Sequence, residues 1–284
     1  MKVLVDGEIV ARSVVKVDME DRGYQFGDGV YEVINIYDGV PFTLDEHIER
    51  LYRSAKEIGM SILFESDHLK QDIRKLIKEN NMKKGGLYLQ VTRGVAPRTH
   101  QYQKDISSKL IAYPLPYKEM AETRSSGVTA ITEQDLRWLR CDIKSLNLLY
   151  NIMIKQKSYE QGAFEAILIR DGLVTEGTSS NVFIIKDGTI YTHPATNLIL
   201  NGITRQKLLE VFLENGWTCK EQPFTTKELM EADEVFVTST TSEVVPVISI
   251  DGKSINNGIP GSLTRKIQQA FSNTVKKETS SAVL

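Results

Sequence analysis

The stretch Arg140-Cys141-Asp142-Ile143-Lys144-Ser145-Leu146-Asn147 places one lysine among apolar residues, directly before a segment with helical periodicity. Lys144 has two interpretations: a charge at the edge of a helix that reaches solvent, or an amine that is partly removed from water. Removal from water lowers the pKa of an amine and makes the neutral nucleophile available. Schiff-base chemistry requires that nucleophile. The stretch therefore makes Lys144 a candidate catalytic residue.

Further segments carry an acid or groups that bind anions. The motif Thr175-Glu176-Gly177-Thr178-Ser179-Ser180-Asn181 sets one acid beside small residues and hydroxyls. Arg50 lies in a predicted helix, residues 201–205 open another helix after a glycine, and residues 238–242 are five consecutive hydroxyl residues. The N–H groups of a first helical turn are free to bind phosphate. Each segment also has a plain alternative, namely a surface charge, a helix cap or a solvated turn.

A lysine, an acid and three anion-binding segments together match the requirements of pyridoxal phosphate. The lysine would bond to the cofactor, the acid would keep the pyridine nitrogen protonated, and the other segments would hold the phosphate. The same lysine can then move a proton between the substrate α-carbon and the cofactor.

Length and composition exclude several other classes of protein. The 284 residues allow two domains or one large one, and 41% hydrophobic with 25% charged residues is ordinary for a soluble protein. A formal net charge of −2 gives no footprint for nucleic acid, and no apolar run is long enough for a membrane span or a signal peptide. Two cysteines and four histidines in no metal-type spacing predict a cytoplasmic protein with reduced thiols and no metal site.

Periodicity predicts many strands with few helices in each half, which is an α+β architecture. Residues 1–16 read as a hairpin, residues 18–29 as a glycine-rich loop, and Thr43 with Glu46 as a capping box. The tail 277–284 is expected to fray. The predicted strands are 30–37, 87–93, 110–113, 128–132, 166–170, 182–186, 190–192, 234–238 and 244–250. The predicted helices are 43–59, 66–80, 147–161, 204–215, 226–230 and 262–276.

The stretch Pro114-Leu115-Pro116-Tyr117-Lys118-Glu119 is the candidate linker, since it combines two prolines with charge. We therefore expect an N-terminal domain at 1–115, a linker at 116–120 and a cofactor-binding domain at 121–284.

The chain resembles the fold-type IV pyridoxal-phosphate aminotransferases, and within them the bacterial D-amino-acid aminotransferases, over nearly its whole length. The resemblance implies a smaller N-terminal α/β domain and a larger C-terminal domain with a β-barrel-like core. The segments that carry it are residues 20–32, 90–94 with 97–100, 137–147, 176–183 and 236–243.

The same resemblance implies a role for each matching residue. Lys144 would be the Schiff-base lysine, and Glu176 would pair with the pyridine nitrogen. Leu200 would pack on the cofactor ring, and Glu32 would be a buried partner near the cofactor. The residues implied for the phosphate are Arg50, Ile203, Thr204 and Thr240. Those implied for substrate are Tyr31, Arg98, His100, Ser179 and Ser180.

The resemblance also implies a homodimer, because Arg98 and His100 would reach the substrate carboxylate of the partner subunit. A forked guanidinium suits a carboxylate, and an extended loop would turn both side chains to one side. From the residues alone, the favoured interpretation is that both are exposed loop residues beside Pro97. One departure is Tyr150, which stands where relatives commonly have a small residue.

The function that these observations favour is transamination between D-amino acids and 2-oxo acids, with D-alanine and 2-oxoglutarate giving pyruvate and D-glutamate. A carboxylate fixed on one side of the cofactor lets only one enantiomer point its α-hydrogen at Lys144. The alternatives are a branched-chain or (R)-amine aminotransferase, an aminodeoxychorismate lyase, and a non-enzymatic dimer on the same scaffold.

Overall fold

The computed structural model describes residues 1–281, which contacts divide into two compact units. The first unit comprises Met1–Lys118, Ile143–Asn147 and residues 277–281. The second unit comprises Glu119–Asp142 and Leu148–Lys276. Each unit has its own sheet and core.

The predicted division at 1–115, 116–120 and 121–284 stays a prediction. The segment Ile143–Asn147, which that division places in the second domain, belongs by its contacts to the first unit. Lys144 is therefore positioned by N-terminal elements.

The first unit is an antiparallel sheet covered by helices. Its strands are β1 (Lys2–Val5), β2 (Glu8–Ala11), β3 (Gly29–Tyr37), β4 (Val40–Pro41), β5 (Lys84–Thr92) and β6 (Lys109–Pro114). They follow the order β2-β1-β6-β5-β3-β4 and pair antiparallel. The helices are a 3₁₀ turn (Arg12–Val14), α1 (Arg22–Phe26), α2 (Leu44–Glu57) and α3 (Ser66–Glu79). The predicted hairpin, strands and two long helices are confirmed within a few residues.

Strand alternation and helical periodicity place polar side chains on the core side of this unit. Along β3 the even-numbered residues are buried, so Glu32 shares a face with Ile34, and Tyr31 lies on the opposite face. On α2 the buried stripe carries His47, Arg50 and Ser54 as well as apolar residues. Ile48, Leu51 and Ala55 join Leu69 and Ile73 of α3 in one apolar core.

Three local predictions in the first unit are wrong. The glycine-rich loop contains α1, because the Asp21 side chain accepts from the N–H of Gly23 and Gly27 ends the helix with φ of 65°. Thr43 does not cap α2, because its φ of 52° turns the hydroxyl onto the carbonyl of Phe42 instead. The tail does not fray after residue 276, since the last helix continues to Ser281; residues 282–284 lie outside the described part.

The second unit is a mixed sheet of nine strands. They are β7 (Val128–Gln134), β8 (Glu165–Arg170), β9 (Leu173–Gly177), β10 (Asn181–Lys186), β11 (Thr189–Thr192), β12 (Cys219–Glu221), β13 (Glu234–Ser239), β14 (Glu243–Ile250) and β15 (Lys253–Ser254). The order is β12-β11-β10-β13-β14-β7-β8-β9, with β15 on β14. Contacts between β9 and β10 curl the sheet back on itself, as the expected barrel-like core requires.

The remaining helices begin in the second unit. They are α4 (Ala121–Ser126), α5 (Leu149–Glu160), α6 (Ile203–Glu214), α7 (Thr226–Met230), a 3₁₀ turn (Asn256–Gly258) and α8 (Ser262–Ser281). Short elements escaped prediction because they are too brief for a period to appear, namely α4, β9, β12 and β15. Within residues 1–281, no helix is long and apolar enough to cross a membrane, and no group of three metal-binding side chains occurs.

Replacing Thr225 by Ala should lower the free energy of unfolding by about 1 kcal/mol. Thr225 and Glu228 form the capping box of α7, each side chain accepting from the other residue's N–H. Chemical denaturation measures the change, and Thr225→Ser, which keeps the hydroxyl, is the matched control. Equal losses for both variants would contradict the cap.

Candidate active site

The segment around Lys144 is held along the beginning of β3. The N–H of Tyr31 donates to the carbonyl of Lys144 at 3.0 Å, and the N–H of Leu146 donates to that of Gly29 at 3.0 Å. The N–H of Lys144 donates to Ser54 Oγ at 3.3 Å. A side chain at Gly29 would approach the carbonyl oxygen of Val91 to 2.6 Å, so only glycine fits there. Main-chain hydrogen bonds therefore fix the backbone position of Lys144, independently of the contacts of its side chain.

The amine of Lys144 lies over an aromatic ring. Its Nζ is 4.2 Å from the centroid of the Tyr31 ring, and that ring stacks on Tyr88 at 5.8 Å. Contact with a ring face limits where the flexible stem can place the amine. Lys144 is half-buried rather than exposed. The structure thus joins Lys144 to Tyr31, a predicted substrate-binding residue.

Glu32 lies on the other face of β3 and is fully buried against α2. Arg50 donates from Nε to Oε1 at 2.7 Å and from Nη2 to Oε2 at 2.8 Å, while His47 Nδ1 lies 2.7 Å from Oε2. Burial opposes the ionised form, yet the charges of Arg50 and His47 outweigh it and lower the pKa of Glu32 to about 2. Burial lowers the pKa of His47. Arg50, the predicted phosphate ligand, is thereby held by a carboxylate beneath it.

Arg98 and His100 lie in an exposed loop of the first unit. The guanidinium carbon of Arg98 is 4.9 Å from the Phe26 centroid, and the His100 ring meets Phe26 edge-on at 6.0 Å. Both side chains therefore gather at one ring, as a shared anion site needs. None of the contacts described for them involves Lys144 or Tyr31.

Glu176 is the buried acid of the second unit. Arg137 Nη1 donates to its Oε1, and Asn181 Nδ2 and the N–H of Leu200 donate to Oε2 at 3.1 and 3.0 Å. Burial raises the pKa of Glu176 to about 7, and Arg137 offsets only part of that effect. Leu200 is thus joined to Glu176 through its main chain.

Asp135 anchors Arg137 from the other side. It accepts from Arg137 Nε and Nη2 at 2.8 Å each and from the Thr175 hydroxyl at 2.8 Å. Burial works against the ionised form, but Arg137 and Thr175, with Arg170, lower the pKa of Asp135 to about 2. The ionised Asp135 keeps the guanidinium directed at Glu176.

The hydroxyl turn after β9 is organised by Glu165. Ser180 donates to Glu165 Oε2 at 2.8 Å, Ser179 lies 3.4 Å from the same oxygen, and Thr178 donates to Oε1. A side chain at Gly177 would approach Ser180 Oγ to 2.3 Å. Ser179 is exposed and Ser180 half-buried.

Two segments of the second unit offer donors for an anion. Gly202 precedes α6 in extended backbone with no side-chain cap. Among residues 1–281, no acceptor is found for the N–H groups of Ile203 and Thr204. After β13, the hydroxyls of Ser239 and Ser242 bond at 2.6 Å and close a turn with Thr240 inside it. A helix start and a hydroxyl turn are the groups that phosphate binds.

Sequence reasoning gave no role to several residues that build these sites. Arg137 stands in the stretch before Lys144, and the polar Asn181 ends the Glu176 motif. Both therefore belong to segments that already contained predicted site residues. Glu165 could have been noticed as a lone acid heading the apolar run of β8. His47 and Asp135 gave no signal, since a single polar residue on a helix or after a strand is ordinary.

Replacing Glu32 by Gln should destabilise the protein at neutral pH and much less in acid. The pKa of Glu32 in the folded protein, about 2, lies below its ordinary value of 4.5, and the difference corresponds to about 3 kcal/mol. That stabilisation is complete above about pH 4.5 and is lost as the pH falls towards 2.

Free energies of unfolding at about pH 7 and about pH 3 check this prediction, and the gap between wild type and Glu32→Gln should shrink by about half or more at the lower pH. The exposed Glu214→Gln is the control and should follow the wild type at both values. A gap of constant size would show that ionisation of Glu32 is not the cause.

Comparisons with known proteins extend over almost the entire chain. The family model "Amino-transferase class IV" matches residues 29–250. A D-alanine aminotransferase of Bacillus licheniformis is 59% identical over 283 residues, which cover 100% of both chains. One of Listeria monocytogenes is 51% identical over 274 residues, or 95% of each chain.

Solved structures share the same fold. Branched-chain amino acid aminotransferase of Escherichia coli superposes with a TM-score of 0.91 at 28% identity, covering 96% of this chain and 94% of that one. The branched-chain aminotransferase of Thermoproteus uzoniensis, solved with norvaline, gives a TM-score of 0.87 at 29% identity, covering 97% and 94%. The chain belongs to the class IV aminotransferase family.

Proposed function

We propose that this protein transfers the amino group between D-amino acids and 2-oxo acids, with D-alanine and 2-oxoglutarate giving pyruvate and D-glutamate. The observation that carries the proposal is Lys144, held by main-chain bonds on β3 with its amine over Tyr31. Full-length relatives at 59% and 51% identity that are named D-alanine aminotransferase support the D-amino acid. The enzyme depends on pyridoxal phosphate, as its family does.

The residues present fit this cofactor. Lys144 is an amine and Glu176 a buried acid that titrates near neutral pH. Residues 1–281 also include a hydroxyl turn and two N–H groups for which no acceptor is found among those residues. A buried hydroxyl, Thr238 Oγ1, also has no partner among the described residues. Pyridoxal phosphate, when bound, accepts electrons from the substrate α-carbon and carries the amino group.

Lys144 is the proposed catalytic residue. Its Nζ would hold the cofactor, and when free of it Nζ would take the proton from the substrate α-carbon and deliver it to the cofactor carbon. Glu176 holds a proton at the pyridine nitrogen, and Arg137 and Asn181 hold Glu176 in place.

Phosphate and ring contacts keep the cofactor in position. Ile203 and Thr204 bind the phosphate through main-chain N–H groups, Thr240 through its hydroxyl and Arg50 through its charge. Leu200, which joins Glu176 by its N–H, packs on the ring. These contacts act equally on all states of the reaction, so they serve affinity and orientation.

Substrate selection falls to Tyr31, Arg98, His100, Ser179 and Ser180. We propose a homodimer in which Arg98 and His100 bind the substrate carboxylate in the partner's site. A carboxylate fixed in this way directs the α-hydrogen of one enantiomer at Lys144.

The two cysteines are both free, which supports the cytoplasmic location that we propose.

A branched-chain aminotransferase is the second candidate, because the two solved structures described above are named branched-chain aminotransferases. Their identities of 28% and 29% are about half those of the relatives named D-alanine aminotransferase. Turnover of L-leucine or L-valine with none of D-alanine would establish this candidate instead.

Adding D-alanine without acceptor should convert the cofactor of the holoenzyme to its amine form, and L-alanine should not. Absorbance spectroscopy follows the loss of the long-wavelength band of bound pyridoxal phosphate. Lys144→Ala should bind the cofactor but slow this conversion by more than about 10³-fold, on the order of the loss of a general base. Equal conversion by both alanines would contradict the stereochemical assignment.

Replacing Thr240 by Val should weaken the affinity for pyridoxal phosphate about tenfold, the equivalent of one hydrogen bond to a charged group. Binding of pyridoxal, which lacks the phosphate, should stay the same. The neighbouring, exposed Thr241→Val is the matched control. Equal losses for both ligands would remove Thr240 from the phosphate site.

A further inference from the structure

Asp28 lies between two buried arginines of the first unit. Its Oδ2 accepts from Arg22 Nε and from Arg93 Nε, each at 2.8 Å. The arginines are 3% and 6% exposed and the Asp28 side chain 14%. The charges of both arginines lower the pKa of Asp28, against the effect of burial. We call these three residues the Asp28 cluster.

The remaining guanidinium nitrogens of the cluster bind main-chain carbonyls. Arg22 donates from Nη1 to Thr99 O at 2.7 Å and from Nη2 to His100 O at 3.2 Å. Arg93 donates to the carbonyls of Gly59 and Ile58 at 2.9 and 2.8 Å. Each arginine thus uses Nε for Asp28 and its outer nitrogens for backbone, so the shared carboxylate fixes the direction of both forks.

The loop that Arg22 holds is closed at its base. Gly94 has φ of 110°, and a side chain there would approach the carbonyl oxygen of Ser107 to 2.0 Å. The main-chain N–H of Arg22 donates to the Gly94 carbonyl at 2.9 Å. We call residues 94–107 the carboxylate loop, since Arg98 and His100 lie on it. The side chains of residues 97–105 are exposed, so apolar packing does not hold this part of the loop. The buried Arg22 holds it through hydrogen bonds instead.

Aromatic rings complete the support. The Tyr102 ring centroid lies 3.6 Å from the Arg93 guanidinium carbon. The Phe26 centroid lies 4.9 Å from the guanidinium carbons of both Arg22 and Arg98, with His100 against its edge. The backbone of residues 99–100 and the side chains of Arg98, His100 and Tyr102 are therefore restrained together.

We propose that the Asp28 cluster is a positioning device for substrate recognition: it holds the carboxylate loop so that Arg98 and His100 meet a carboxylate in one fixed geometry. The proposal rests on the proposed function, because it takes Arg98 and His100 as the carboxylate ligands. A loop ordered before binding loses less conformational entropy when the carboxylate arrives, and this raises affinity. Arg22 and Asp28 act through the loop and are not catalytic residues.

Arg22→Lys tests the proposal in the holoenzyme, since lysine keeps a cation for Asp28 but cannot reach both carbonyls. We expect KM for D-alanine and the inhibition constant of propionate, an unreactive carboxylate, to rise about tenfold or more, as for the loss of charged hydrogen bonds. The kcat should stay within about threefold and the cofactor content should not change, because no contact of Lys144 is altered.

Trypsin cleavage after Arg98 reports the loop directly. In Arg22→Lys the cut should appear faster than in wild type, as identified by mass spectrometry. Arg74→Lys, an exposed substitution on α3, is the matched control and should match wild type in KM, inhibition constant and cleavage.

Unchanged values for propionate and cleavage would overturn the proposal, as would a fall in kcat and cofactor content without a rise in KM. If Arg22→Lys does not fold, Tyr102→Leu replaces it as the test, since it removes the ring on Arg93 without removing a charge. Tyr102→Leu should give the same changes in KM, inhibition constant and cleavage, and their absence would overturn the proposal. Absence of D-alanine turnover in the wild type would refute the proposed function instead, and the cleavage result would still report on the loop.

Discussion

The candidate active site depends on the cost of burying charge. A carboxylate taken out of water is destabilised by several kcal/mol unless cations and hydrogen-bond donors surround it. In the first unit Glu32 meets this requirement with Arg50 and His47. In the second unit Glu176 meets it with Arg137 and Asn181. The need for partners fixes the positions of these side chains more strictly than apolar packing would.

The two carboxylates differ in their balance of burial and charge. Two neighbours compensate Glu32, and its pKa falls to about 2, so it is a permanent negative charge beneath Arg50. Arg137 shares its guanidinium between Glu176 and Asp135, and burial then raises the pKa of Glu176 to about 7. A permanent negative charge suits the orientation of Arg50, the proposed phosphate-binding residue. An acid whose pKa is near neutrality suits proton exchange with a pyridine nitrogen. Both functions use the same residue type.

Much of the fold followed from patterns along the chain. The long strands and helices of both units repeat apolar residues over enough positions to be recognised. Short elements such as α1 and α4 lack that length, and the Thr43 cap failed because a left-handed backbone at Thr43 overrode a favourable local sequence. Lys144 and Glu176 were predicted as site residues because one stands between apolar neighbours and the other beside small and hydroxyl residues. Arg137 and His47 were not, since their importance lies in partners far along the chain.

Patterns along the chain were enough to predict the α+β class, the alternation that places Tyr31 and Glu32 on opposite faces of β3, and the residue types that pyridoxal phosphate requires. Those properties depend on neighbours two to four positions apart. The position of residues 143–147 along β3, and the sharing of Asp28 by Arg22 and Arg93 beneath the carboxylate loop, are visible only in the folded protein. The pairing of Asp28 with Arg93 joins residues 65 positions apart. Such pairings are selected because buried charges must find partners, and no local pattern records that requirement.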